Sequence, residues 1–193
     1  MRIQHMILGS VIAITGLGFT ACRDAEYADR DTAAVVTDTM AVGGSVEAYS
    51  DANAVAYLQT VNTGEIESAA LAKTKARDAE IKAYARQMET DHTQMKNEVA
   101  EAAQRLGLSA SATNQDVLES HQENMRELNE AQAGNDFDDK YIDAQVEAHR
   151  EALDKLDDAI EKTQNAEFRA LLEKARGAVD GHLKKAEQLD KKA

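Results

Sequence analysis

Four histidines, His92, His121, His149 and His182, lie one to a helical stretch, each on the apolar stripe of its segment. Imidazole is a poor core group unless its ring nitrogens find partners. Four such rings aimed at one interior therefore point to a buried polar centre. Two carboxylates fall on the same inner faces or beside them: Glu65 on the first stretch, and Glu89, three residues before His92, on the second. A histidine-rich, carboxylate-poor set suits zinc or copper better than magnesium or calcium. The candidate transition-metal ligands are thus His92, His121, His149, His182, Glu65 and Glu89, with zinc, copper or iron as the ion. A second reading stays open at this point, in which each imidazole bonds a nearby Tyr84, Tyr141, Gln145 or Glu65 and the histidines form a hydrogen-bonded core.

Helix geometry says whether the six groups can meet. The turns near Arg77 and Gly134 are taken as one end of a bundle. At a rise of about 1.5 Å per residue, Glu65 lies about 18 Å from that end, His92 about 22 Å, His121 about 19 Å and His149 about 22 Å. His182, counted from the turn near Asn165, lies at roughly 20 Å. The expectation is one shared level, with Glu89 and Tyr141 flanking it.

Other chemistries fit poorly. A di-iron carboxylate centre needs Glu-x-x-His on two helices and a lone Glu on two more. Glu89-x-x-His92 meets that spacing once, but valine stands three residues before both His149 and His182. Glu147 and His149 point about 200° apart around their helix. A Ser-His-Asp set has no serine on the inner stripes as read here. Met88, Met95 and Met125 read as core filler. The reading is a non-enzymatic one.

The elements that must hold these groups are helices. The chain has no proline or tryptophan and is rich in Ala, Glu, Asp, Lys, Gln and Leu, all but Asp strong helix formers. Apolar periodicity predicts five helices: about Asp51–Lys75, Asp78–Leu106 with Asp78 as N-cap, Gln115–Gln132, a fourth capped by Asp136 and running to Lys162, and Ala166–Leu189. Gly64 is expected to loosen the first, and Gly107 to end the second. Inner positions include Val55, Leu58 and Val61 on the first, Tyr84 and Met88 on the second, Val117, Met125 and Leu128 on the third, Phe137, Tyr141 and Gln145 on the fourth, and Phe168 and Leu172 on the fifth. Short connections make neighbours antiparallel. The fold class is all-α, an up-down antiparallel bundle of four to five helices, spanning residues 51–191. The loops at Gly107 and Gly134 would interrupt the seam of an extended coiled coil.

The net charge of −13 argues against nucleic acid as a partner, because phosphates need a basic surface. The acidic run Glu151, Asp154, Asp157 and Asp158 with Lys155 reads as a solvated face. Residues 1–21 read as a lipoprotein-type signal peptide: Arg2 supplies the positive start, and Met6 to Leu17 form an apolar core too short to span a bilayer. Phe19-Thr20-Ala21-Cys22 resembles a lipobox. Cys22 is the single cysteine, so no disulfide within the chain explains it. Lipidation of Cys22 would tie the protein to a membrane without a spanning helix. Residues 22–50 then form a flexible tether. Arg23 after the cysteine favours the outer membrane, facing the periplasm.

Glu65-Ile66-Glu67 with Leu71-Ala72, Lys82-Ala83-Tyr84-Ala85 and Met88-Glu89-Thr90-Asp91-His92-Thr93 form the first half of a pattern. Phe137-Asp138-Asp139-Lys140-Tyr141 with Gln145-Val146 and His149, then His182-Leu183 with Ala186, form the second. From about Asp51 to Leu189 the chain resembles the bacterial domain of unknown function 4142 family, grouped with the ferritin-like superfamily. The resemblance implies a ferritin-like helical bundle and an exported protein, often of the outer membrane. Ala79 and Gly177 stand where that family often has proline, which bears on helix ends more than on the centre.

Overall fold

The computed structural model describes residues 49–110 and 114–191. Five helices follow one another: α1 Asp51–Lys75, α2 Ala79–Leu106, α3 Gln115–Glu130, α4 Asn135–Lys162 and α5 Ala166–Asp190. There is no strand among the described residues, and the all-α bundle stands as the sequence predicts. Cys22, the leader and most of the tether lie outside the described residues. Among the described residues, no helix is long and apolar enough to cross a membrane.

Side-chain caps set most of the helix starts. Ser50, Asp78, Asn114 and Asn165 each accept from backbone N–H groups of the first turn, which satisfies donors the helix itself cannot. The fourth start departs from expectation. Gly134, at φ 114°, is the N-cap of α4 and offers no side chain. Asp136 instead accepts from the backbone N–H of Gln132 at 2.8 Å, closing the α3–α4 turn. Aspartate carries the same capping chemistry into a turn as into a helix start, so its type alone did not fix its place.

Two hairpins form the frame, α1 with α2 and α4 with α5, and their short connections make each pair antiparallel. Asp138 joins the hairpins. Its buried carboxylate accepts from Arg77 N (2.9 Å) and Asp78 N (2.8 Å), so the start of α4 holds the α1–α2 turn. At the same end Lys75 Nζ donates to the carbonyls of Leu128 and Asn129. At the opposite end Arg105 of α2 pairs with Glu167 of α5.

The apolar core falls into two clusters. One, around Ile81, Tyr84, Met88, Phe137, Tyr141 and Ala186, fills the Asp138 end. The other, around Val55, Leu58, Met95, Leu156, Phe168 and Leu172, fills the far end. Between them runs a layer of buried polar groups: Asn62, Glu65, His92, Gln145, His149 and His182. Helix α3 contributes least to the core. Leu128 is its only buried residue, and Val117, His121 and Met125 are only partly covered, so its sequence stripe overstates its burial.

Candidate metal centre

The polar layer is built from α1, α2, α4 and α5. His92 follows Met88 by one turn on α2, His149 follows Gln145 on α4, and His182 follows Val179 on α5. All three imidazoles are nearly inaccessible, at 2%, 2% and 3% exposure. Their ring centroids are 5.8 Å (His92–His149), 5.2 Å (His92–His182) and 5.5 Å (His149–His182) apart. One nitrogen from each ring lies within 4.8 Å of the others.

The outer nitrogen of each ring has a partner that fixes its tautomer. Asn62 Nδ2 donates to the Leu58 carbonyl at 2.7 Å, which leaves its Oδ1 as an acceptor. His92 Nδ1–H donates to that oxygen at 2.8 Å. His149 Nδ1–H donates to the backbone carbonyl of Gln145 at 2.8 Å. His182 Nε2–H donates to Asp91 Oδ2 at 2.9 Å. Each partner can only accept, so the proton of each neutral ring sits on the outward nitrogen. The inner nitrogens, His92 Nε2, His149 Nε2 and His182 Nδ1, then carry lone pairs, and all three are buried with no hydrogen-bond partner among the described residues.

Three convergent lone pairs without a donor are an unfavourable arrangement in a core, and the same arrangement is a ligand set for a cation. Nitrogens 4.8 Å apart at the corners of a triangle would lie about 2.8 Å from its centre. Imidazole ligands bind zinc at about 2.0–2.1 Å, so ring shifts below 1 Å close the difference. The donor chemistry fits a transition-metal ion. Outer hydrogen bonds of the kind made by Asn62, Gln145 and Asp91 orient metal-binding imidazoles and raise their basicity.

Electrostatics keep the rings ready to bind. Burial, then the charges of His149 and His182, hold the His92 pKa well below its usual value. Burial likewise lowers that of His149, although the charge of Glu65 opposes the shift. Both rings are therefore neutral at physiological pH.

The remaining sequence candidates sit elsewhere. Glu65 is buried in the same layer, but it is not one of the three converging groups: its Oε2 accepts from Gln145 Nε2 at 2.8 Å. Tyr84 OH donates to Gln145 Oε1 at 3.2 Å, extending the network. Tyr141 is fully buried, and its hydroxyl has no partner. His121 does not join the other rings. Its Nε2 bonds Glu67 Oε2 at 2.9 Å on the outside of α1. A Cβ at Gly64 would come within 2.8 Å of His121 Nδ1, so Gly64 permits this close approach rather than loosening a continuous α1. Glu89 also turns outward, paired with Lys73 at 2.5 Å. His121 packs against Gly64 beside Glu65, and Glu89 stands three residues from His92, but neither is among the three converging groups. Ser68 corrects the reading of the inner stripes: it is buried, but its hydroxyl donates to the Glu65 carbonyl at 3.1 Å and is not arranged as a nucleophile.

Sequence reasoning missed Asn62, Asp91 and the full role of Asp138. Asn62 lies three residues before Glu65, one turn away on an inner face already assigned, and that spacing was the available signal. Asp91 adjoins His92 in sequence yet serves His182 across the helix pair.

The protein is thus an all-α bundle with a buried three-histidine centre. It belongs to the family described as domain of unknown function (DUF4142), which it matches over residues 37–189. No curated protein matches the chain. A solved structure of CopM in the Cu(II)-bound form is similar, at 19% identity and a TM-score of 0.63, covering 75% of this chain and 97% of that one. At that identity the likeness shows the shared fold.

Proposed function

We propose that this protein is a non-enzymatic transition-metal-binding lipoprotein of the cell envelope, holding one ion between His92, His149 and His182. The observation that carries the reading is the set of three buried inner nitrogens, each left with a lone pair by an outward partner. The similar CopM structure holds Cu(II), which makes copper the first ion to test and zinc the second. Iron fits less well, because no carboxylate stands among the converging groups. A bound ion would supply a Lewis-acid or redox-active charge at the waist of the bundle. The protein's residues do the rest: the imidazoles bind, Asn62, Gln145 and Asp91 orient them, and the two apolar clusters exclude water.

The rival reading, a hydrogen-bonded histidine core in a structural or interaction module, requires the inner nitrogens to be satisfied by neighbouring side chains. They are not. The membrane part of the reading rests on the lipobox-like Phe19-Thr20-Ala21-Cys22, with attachment through acyl chains on Cys22, and on Arg23 for the outer membrane as destination; the net charge of −13 disfavours a nucleic-acid partner.

Metal analysis of tag-free protein, before and after exposure to copper or zinc, tests the centre. Stoichiometric binding that His149→Ala plus His182→Ala abolishes is the expected result. Unchanged metal content in the double variant overturns it. For the anchor, mass spectrometry of the mature N-terminus should find acylated Cys22, and Cys22→Ser should leave the membrane fraction or remain unprocessed.

A further inference from the structure

A groove of about 360 Å³ opens between α1, α3 and α4, and Glu65 lines it. Glu65 is only 8% exposed and bonds the side chain of Gln145, the residue whose carbonyl holds His149. Ala148, the neighbour of His149, also lines the groove. The groove therefore reaches from solvent to Glu65, which stands one hydrogen bond from Gln145 in the polar layer of the three histidines. Its walls carry Tyr57 and Glu151, and the N-terminal half of α3 supplies the outer side through Val117 and His121. The Tyr57 hydroxyl feels the charges of both Glu151 and Glu65, which hold its pKa above the usual value behind the larger effect of burial. The two carboxylates line one passage, Glu151 exposed and Glu65 nearly enclosed.

We propose that this groove is the path by which the metal cation reaches the buried histidines, with Glu151 and then Glu65 binding it transiently on the way. The proposal rests on the metal-binding reading above and adds the route to it. A low-dielectric cleft lined by one sign of charge concentrates the opposite ion and speeds its association. Buried imidazoles alone offer no attraction at the surface, because they are enclosed. A carboxylate at the floor gives the desolvated ion a hard oxygen ligand before three nitrogens replace it.

A second groove, between α2 and α5, reaches Asp91 and is lined by Glu98. It provides a matched comparison, since Asp91 bonds His182. Glu98→Lys and Glu151→Lys change net charge equally, each at one mouth.

The test is stopped-flow mixing of the full protein with Cu(II), read by quenching of intrinsic tyrosine fluorescence, which no tryptophan obscures. Glu151→Lys should slow association about tenfold at low ionic strength, with the deficit shrinking as salt rises. Glu65→Gln should slow association and dissociation together, leaving one ion bound. Glu98→Lys should match wild type. Equal rates in all variants, or slowing by Glu98→Lys alone, overturn the route while leaving the centre standing. A wild-type protein that takes up no Cu(II) on its three histidines overturns both.

Discussion

Acidification should destabilise the metal-free protein through its buried imidazoles. Burial lowers the pKa of His92 and of His149 in the folded state, against 6.5 in the unfolded chain. Below pH 6.5 the unfolded chain takes up protons that the folded protein refuses, so stability falls as pH falls; above 6.5 the contribution is fully present. Each ring that stays neutral in the fold costs about 1.4 kcal/mol per pH unit below that point. A ring that stays neutral from pH 6.5 to 5.0 costs up to about 2 kcal/mol; His92, held well below its usual value, carries most of the loss and His149 adds to it, a sizeable fraction of the roughly 5–15 kcal/mol that stabilises a typical domain. Urea unfolding of chelator-treated protein at pH 7.5, 6.5, 5.5 and 5.0 measures the loss. The comparison is with His92→Gln plus His149→Gln, in which surface carboxylates titrate as before, so the difference between the two profiles isolates the imidazoles. The difference should open below pH 6.5. Parallel profiles across the whole range would refute the argument, because the rings would then be charged, or free to charge, inside the fold. Bound metal should delay the acid loss, since protons and the ion compete for the same nitrogens.

Three further outcomes follow from named contacts. Asp138→Ala removes the acceptor of Arg77 N–H and Asp78 N–H; at about 1.5–3 kcal/mol for each bond to a charged group, roughly 3–6 kcal/mol of stability should be lost in urea unfolding. Asp91→Ala and Asn62→Leu remove the outer partners of His182 and His92; each should weaken metal affinity about 10–100-fold in a chelator competition, with an unchanged far-UV spectrum. Gly64→Ala forces a methyl group against the His121 ring; amide exchange in residues 115–126 should quicken, while exchange around His92 stays as in wild type.

Helices were readable because period and caps agree. Asp78 stands at a real N-cap, and the stripes of α2, α4 and α5 are buried almost as their spacing implies. Helix α1 was harder, since its inner face carries Asn62, Gly64, Glu65 and Ser68 beside its alanines. A face that packs small and polar residues gives little apolar contrast, and Asn62 went unnoticed on it. Helix α3 misled in the other direction. Its stripe is amphipathic, yet only Leu128 is buried, because one helix resting on α1 and α4 covers a single line of contact.

The candidate centre divides along the same physics. Axial level follows from the 1.5 Å rise and tolerates errors at helix ends, so a common level for the histidines was open to sequence reasoning. Azimuth advances 100° per residue and depends on how each helix is rolled against its neighbours, which no single stripe determines. His92, His149 and His182 sit on helices whose strong apolar stripes fix that roll. His121 sits on the weakly packed helix, where roll is free to be set by one ring against Gly64 and one bond to Glu67. Glu89 precedes His92 by three residues, about 300° around the axis. That offset leaves it some 60° from the inner face, far enough for Lys73 to take it. The groups that converge sit on the helices with strong apolar stripes, so packing of the two core clusters, rather than a bound ion, brings the three rings together.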